Sequence, residues 1–156
     1  MIALPYSIRR ATEADLSEIH RVFRESIAAV PTNHYTNEQK RVWAKSTEDK
    51  ARWLGKIRSQ YFIVAEQGSH LIGFASLEVN YVDFMYVHPI AQRHGVEQNL
   101  LQHIEEIARS NGIIGLESDV SKAARLFFEK NGFVVQHENQ FDRFGVNMSN
   151  FSMKKG

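Results

Sequence analysis

Cysteine is absent from the 156 residues. That excludes disulfides, thiolate chemistry and cysteine-ligated metals. Charge of one sign is lacking as well: Lys and Arg total 19 against 18 Asp and Glu, a formal net charge of +1. Lys154 and Lys155 are too few to form a basic arm, so nucleic acid is not an expected partner. No apolar run approaches the roughly 20 residues that span a bilayer, so no membrane partner is expected. The start, MIALPYSIRR, lacks the basic-then-apolar pattern of a secretory leader, and a cytoplasmic location follows as the expectation. Seven histidines are present, yet none pairs at zinc-binding spacing beside a carboxylate, so no metal site is expected.

What remains is ordinary globular material. Hydrophobic residues make up 43%, with ten Phe, five Tyr and two Trp, enough for one core. The length suits a single domain over 1–156. Residues 8–12 (IRRAT) read as a first strand. Thr12 with Asp15 is a near-match to a capping box, and Leu16, Ile19, Val22, Phe23 and Ile27 follow at helical spacing until Pro31. Thr36 with Gln39 forms a second capping box, leading to Val42 and Trp43. Thr47 is the expected start of a third helical piece carrying Ala51, Leu54 and Ile57. The period then changes. Residues 61–66, 71–79 and 81–87 read as antiparallel strands, with Pro89 closing the last. Val96, Leu100, Leu101, Ile104, Ile107 and Ala108 mark one face of a helix stopped by Asn111-Gly112. Residues 113–119 read as a strand, and strand-helix-strand in this order predicts a right-handed parallel crossover. Ser121 caps a further helix with Ala124, Phe127 and Phe128 inward, and residues 133–140 and 146–153 close the chain as a hairpin. The expected fold is α+β: a mixed central sheet of about seven strands, antiparallel at first, with one parallel central step, flanked by about four helices.

One loop stands out. In Gln92-Arg93-His94-Gly95-Val96-Glu97 a glycine opens directly into a helix. Helix starts leave N–H groups without partners, and the helix dipole adds positive potential there. Gly95 permits close approach, and Arg93 adds a donor and a charge. Such a loop can hold an anion, though a glycine turn before a helix is more often only a turn.

The second half changes that balance. MYVHP followed by QRHGVE resembles the strand-four ending and the Gln/Arg-x-x-Gly-x-Gly/Ala pattern of the GNAT superfamily of acyl-CoA N-acyltransferases. AARLFFEKNGF is similar to its helix motif Ala-x-x-Phe-Tyr-x-x-x-Gly-Phe. HYTNEQKRVWA and NMSNFSMKK look more specifically like a bacterial YafP-like branch. The resemblance implies acetyl-CoA as cosubstrate, bound where two central strands splay. Carried over, the backbone of Met85, Tyr86 and Val87 pairs with the pantetheine arm. The amides of 93–97, with Gln92 beside them, cradle the pyrophosphate. Ser121, Ala124, Phe127 and Phe128 line the other wall. The segment with His34, Tyr35 and Trp43 falls on the acceptor side, where core packing competes as an explanation for Trp43.

Three positions depart from the family pattern. Glu97 replaces a small residue; it reads first as a first-turn acid complementing its own helix dipole, and where its charge does face a diphosphate the opposition is roughly 1 kcal/mol at about 4 Å in water, which weakens binding rather than abolishing it. Ser121 replaces Asn and also suits a helix cap. Phe128 replaces the Tyr that protonates the departing thiolate. Proton removal from the amine needs another group. Asp83, an acid amid an apolar strand on the face of Tyr81, Met85 and Val87, is one candidate, and Glu78 is a second; a structural partner explains either equally well. Tyr86 is a further candidate donor to the thiolate, although alternation turns it to the opposite side. The reading is an N-acetyltransferase acting on a primary amine, either a small molecule or a peptide, by direct attack. The alternatives are a catalytically quiet acetyl-CoA-binding module and a scaffold presenting Phe141, Phe144 and Phe151. The closing hairpin also suits a homodimer.

Overall fold

The computed structural model describes residues 5–156; residues 1–4, the first part of the segment tested for a leader, lie outside them. Seven strands form one sheet: β1 (Ser7–Arg10), β2 (Tyr61–Gln67), β3 (His70–Glu78), β4 (Tyr81–Val87), β5 (Leu116–Val120), β6 (Val134–Arg143) and β7 (Val146–Lys155). The spatial order is β1-β2-β3-β4-β5-β7-β6, so the last strand of the hairpin inserts beside β5. Every neighbour pair is antiparallel except β4–β5. Among the described residues, five α-helices accompany the sheet: α1 (Leu16–Ala28), α2 (Asn37–Ala44), α3 (Lys50–Ser59), α4 (Val96–Ser110) and α5 (Arg125–Lys130). Among the described residues, no helix is long and apolar enough to cross a membrane.

Two helix starts follow their local chemistry. Thr36 Oγ1 accepts from Gln39 N–H while Gln39 Oε1 accepts from Thr36 N–H, closing the box that opens α2. Thr12 and Asp15 form the corresponding box, but it opens a short 3₁₀ turn that then runs into α1. The third start differs from the expectation. Thr47 Oγ1 donates back to the Ala44 carbonyl, so it closes the preceding turn. Asp49 caps α3 instead, its carboxylate accepting from Arg52 N–H at 3.2 Å. β5 begins later than expected, because residues 113–115 follow the left-handed Gly112 as an irregular run in which Ile114 is exposed.

Alternation on the strands sorts the core. Ile63, Ala65, Ile72, Ala75, Leu77, Val82 and Val87 face α4 and α5. Phe62, Val64 and Phe74 face α1 and α3. Leu100, Leu101 and Ile104 on α4 are fully buried, each contributing roughly 1.5–3 kcal/mol. A third, smaller cluster of Tyr35, Val42 and Met148 seats α2 against the hairpin.

The sheet is not continuous. β3 and β4 pair along their length, and β5 and β7 share five residue pairs. Between β4 and β5 only Tyr81 and Glu117 pair. Past that point the two central strands diverge, and Ser118 Oγ donates to the Val82 carbonyl at 2.8 Å where a ladder bond would otherwise stand. β4 also carries a bulge: Ser76 opposes Phe84, but Leu77 opposes Val82, leaving Asp83 as the extra residue.

Candidate active site

The divergence leaves backbone groups of β4 in the middle of a sheet without a neighbouring strand. His88 N–H donates to the Ile72 carbonyl of β3 at 2.8 Å. By alternation Tyr86 also spends its backbone on β3, opposite Phe74, while Met85 and Val87 direct theirs toward the opening. The Val87 carbonyl is covered by Ser26 Oγ and Gln92 Nε2, each at 3.1 Å. The N–H of Val87 and both polar groups of Met85 are left facing the gap. Unpaired backbone groups at such depth cost free energy unless something bonds them. Of the three backbone positions suggested by the sequence, Met85 and Val87 turn backbone groups toward the gap and Tyr86 turns its own toward β3.

The loop after β4 stands at the same end of the gap. His88 Nδ1 accepts from Ile90 N–H, and Pro89 opens a single 3₁₀ turn. Arg93 takes φ 65° and Gly95 φ 83°, so the chain reverses twice before α4. Gly95 is the cap residue of α4 and has no side chain to offer the first amides. A Cβ built there meets nothing within 4 Å, so the space above the helix start is open. Arg93 and His94 are exposed, whereas Val96 turns its side chain into the core. Glu97 is half-buried in the first turn, and burial alone pushes its carboxyl above the usual range.

A cavity of about 540 Å³ occupies the α1–α3 side of the gap. Its wall is aromatic. Trp53 stacks on Phe84 with centroids 4.6 Å apart, and Phe23 meets Tyr86 edge-on at 4.8 Å. Tyr35 and Trp43 continue the wall at 5.3 Å from one another. Trp43 is thus both core and cavity lining. Tyr35 also ties two segments together, since its hydroxyl donates to the Ser149 carbonyl and accepts from Lys122 N–H.

Asp83 lies in this cavity, but not as alternation suggested. The bulge turns it to the side of Phe84 and α3, away from Met85 and Val87. There Lys56 Nζ donates to it at 2.7 Å and Gln60 Nε2 at 2.8 Å, both to Oδ2. Tyr86 reaches the same cavity, and burial raises its hydroxyl well above the ordinary tyrosine value. Glu78 is exposed at the far end of β3 and does not line the cavity, so the structure does not bring it to the other candidates. Ser121 Oγ accepts from Ala124 N–H at 3.2 Å, a cap for the short turn before α5. Ser121, Ala124 and Phe128 line the cavity. Phe127 packs half-buried against the core, edge-on to Phe128.

One carboxylate was not singled out from the sequence. Asp119 on β5 stands level with Asp83, since Tyr81 pairs with Glu117. It accepts from the Tyr81 hydroxyl at 2.8 Å, Ser152 Oγ at 2.7 Å and Asn139 Nδ2 at 3.2 Å. All three donors are neutral. The only signal in the sequence was the polar alternation of LESDV, which any half-exposed strand shows. Among the described residues, no three of His, Asp and Glu gather as metal ligands.

A sheet parted between its two parallel strands, with an uncapped helix start at the mouth, is the architecture of an acyltransferase family. The model of the acetyltransferase (GNAT) domain matches residues 31–155, and the chain belongs to that family. It is 27% identical over 147 residues to the uncharacterised N-acetyltransferase YafP of Escherichia coli (strain K12), covering 94% of this chain and 93% of that one. Its fold superposes with TM-score 0.92 on a GCN5-related N-acetyltransferase of Rhodopseudomonas palustris, at 28% identity over 99% of this chain and 98% of that one. The PaiA N-acetyltransferase of Thermoplasma acidophilum, solved in complex with coenzyme A, gives TM-score 0.79 at 25% identity, covering 97% of this chain and 99% of that one.

Proposed function

We propose that the protein transfers the acetyl group of acetyl-CoA to a primary amine by direct attack. The observation that carries this reading is the free backbone edge of Met85 and Val87, lying beside the uncapped start of α4. The pantetheine arm extends along that edge as an added strand would. The amides of 93–97 take the pyrophosphate, helped by Arg93 and by the dipole of α4. Ser121, Ala124 and Phe128 form the facing wall, with Phe127 behind them.

The amine approaches through the aromatic cavity. Its nitrogen bonds to the thioester carbon, and an N–H facing the gap from β4 stabilises the oxyanion. The C–S bond then breaks, leaving N-acetyl amine and CoA thiolate. The amine's proton must leave: for a group of pKa about 10.4, deprotonation near pH 7 costs roughly 4.6 kcal/mol. Asp83 has one oxygen engaged by Lys56 and Gln60, and Oδ1 remains to order a water that accepts the proton. Tyr86 lines the same cavity as the donor to the thiolate, in place of the hydroxyl that Phe128 lacks.

Thermal unfolding with acetyl-CoA and release of free CoA with a panel of primary amines test the reading. At about 100 times Kd, acetyl-CoA should stabilise the fold by about 2.7 kcal/mol. No stabilisation overturns the binding assignment. Stabilisation without CoA release on any amine favours the catalytically quiet module.

A further inference from the structure

The acceptor cavity carries separated charge. At one end, the exposed Asp119 is held by Tyr81, Ser152 and Asn139, none of them a cation, so no positive charge is bonded to it. The other end has the opposite sign. On β6, Asn139, Phe141 and Arg143 fall at alternate positions and all line the cavity. Asn139 is thus next to the acid, and Arg143 stands about 13 Å further along the strand at roughly 3.3 Å per residue. α3 repeats the order on the opposite wall. Lys56 is spent on Asp83 at 2.7 Å, while Arg52, one helical turn away on the same face, also lines the cavity. Neither Arg52 nor Arg143 has a carboxylate partner among the described residues. Between the poles lie Phe141, Met148 and Trp43, all apolar in character.

A simple alkylamine would satisfy the acid and leave the arginines idle. A polyamine would place a second positive charge among them, which costs affinity. We propose that the acceptor is an amine that also bears an anionic oxygen group, carboxylate or phosphate, joined to it by an apolar spacer. The ammonium is drawn to the Asp119 end before deprotonation, and Arg143 with Arg52 hold the distal anion. This assignment rests on the acetyl-transfer reading above.

The test uses the full chain with saturating acetyl-CoA. Omega-aminocarboxylates of about four to eight carbons are compared with n-alkylamines and omega-aminoalkylphosphonates of equal length, by CoA release. At least one anionic amine should exceed its matched alkylamine by about tenfold or more in kcat/KM, mainly through KM. Arg52→Gln with Arg143→Gln should erase that advantage, bringing the anionic amine down to the level of its matched alkylamine in the same variant. Both side chains are exposed, so their loss spares the fold, and an unchanged melting temperature checks this. A carboxylate that outperforms the phosphonate, or the reverse, identifies the anion; either supports the assignment. Equal use of charged and uncharged amines overturns it while leaving the transferase reading intact, and so does a preference that survives the double variant. No CoA release with any amine, together with no stabilisation by acetyl-CoA, overturns both.

Discussion

His20 should make the fold acid-sensitive well above the range where carboxylates titrate. The ring is 4% exposed on α1 and meets Trp53 edge-on at 4.8 Å, and Trp53 in turn stacks on Phe84 in the cavity wall. His20 Nε2 is buried without a partner. Burial lowers its pKa from 6.5 to about 4, and the charges of Arg24 and Lys50 act in the same direction. The folded state therefore resists a proton that the unfolded chain accepts. Stability from this site is whole above pH 6.5 and is lost as pH falls toward 4. With those two values the loss between about pH 7.5 and pH 5 is about 2 kcal/mol, at 1.36 kcal/mol per unit of proton affinity. That is a sizeable part of a typical 5–15 kcal/mol total. Urea unfolding of wild type and His20→Phe at both pH values isolates it, because every other histidine and carboxylate is common to the two proteins. Wild type should lose about 2 kcal/mol more than the variant over that interval. Equal losses would refute the argument and mean that the buried ring is protonated as easily as a free one.

Two further changes probe the cleft. Gly95→Glu places an acid above the free amides and also strains a residue at φ 83°, so acetyl-CoA affinity should fall at least tenfold; Gly95→Ala carries the strain without the charge and should fall less, as isothermal titration would report. Equal affinities in all three proteins would remove the pyrophosphate from this loop. Phe128→Tyr restores a hydroxyl at the cavity wall; if thiolate departure limits turnover near pH 7, kcat should rise by up to about 30-fold, the equivalent of about 2 kcal/mol for a thiol of pKa about 8.5. An unchanged kcat in a variant of wild-type melting temperature would show that the step is not limiting.

Features determined by neighbours in sequence were legible before the structure. The two Thr boxes, the bounds of β4 and the apolar stripe of α4 each depend on contacts within a few residues, and they stand where the pattern placed them. The loop and the free strand edge were legible through motif resemblance. Long-range pairing was not. The bulge at Asp83 depends on how β3 meets β4, and its one extra residue moves the acid from the Met85 face to the α3 face. The Asp83–Lys56 pair spans 27 residues and the Tyr81–Asp119 bond spans 38, so no local spacing announces either. Asp119 gained meaning only from the parallel register with β4.

The same register raises the question of how a sheet parted at its centre stays parted without collapsing. At the fork the Val82 carbonyl is closed by Ser118, and at the mouth the Val87 carbonyl is closed by Ser26 and Gln92, so these two carbonyls need no strand partner. The halves are then held apart by a strut. Tyr35 bonds the Ser149 carbonyl of β7 and the Lys122 amide before α5, both on the far half, while its ring leans on Trp43, which neighbours Tyr86 of β4 on the near half. Tyr35 is 2% exposed, so this tie is shielded from water. A cleft fixed in this way is preorganised. On the proposed reading, a ligand laid along Met85 and Val87 spends none of its binding energy on opening the fold.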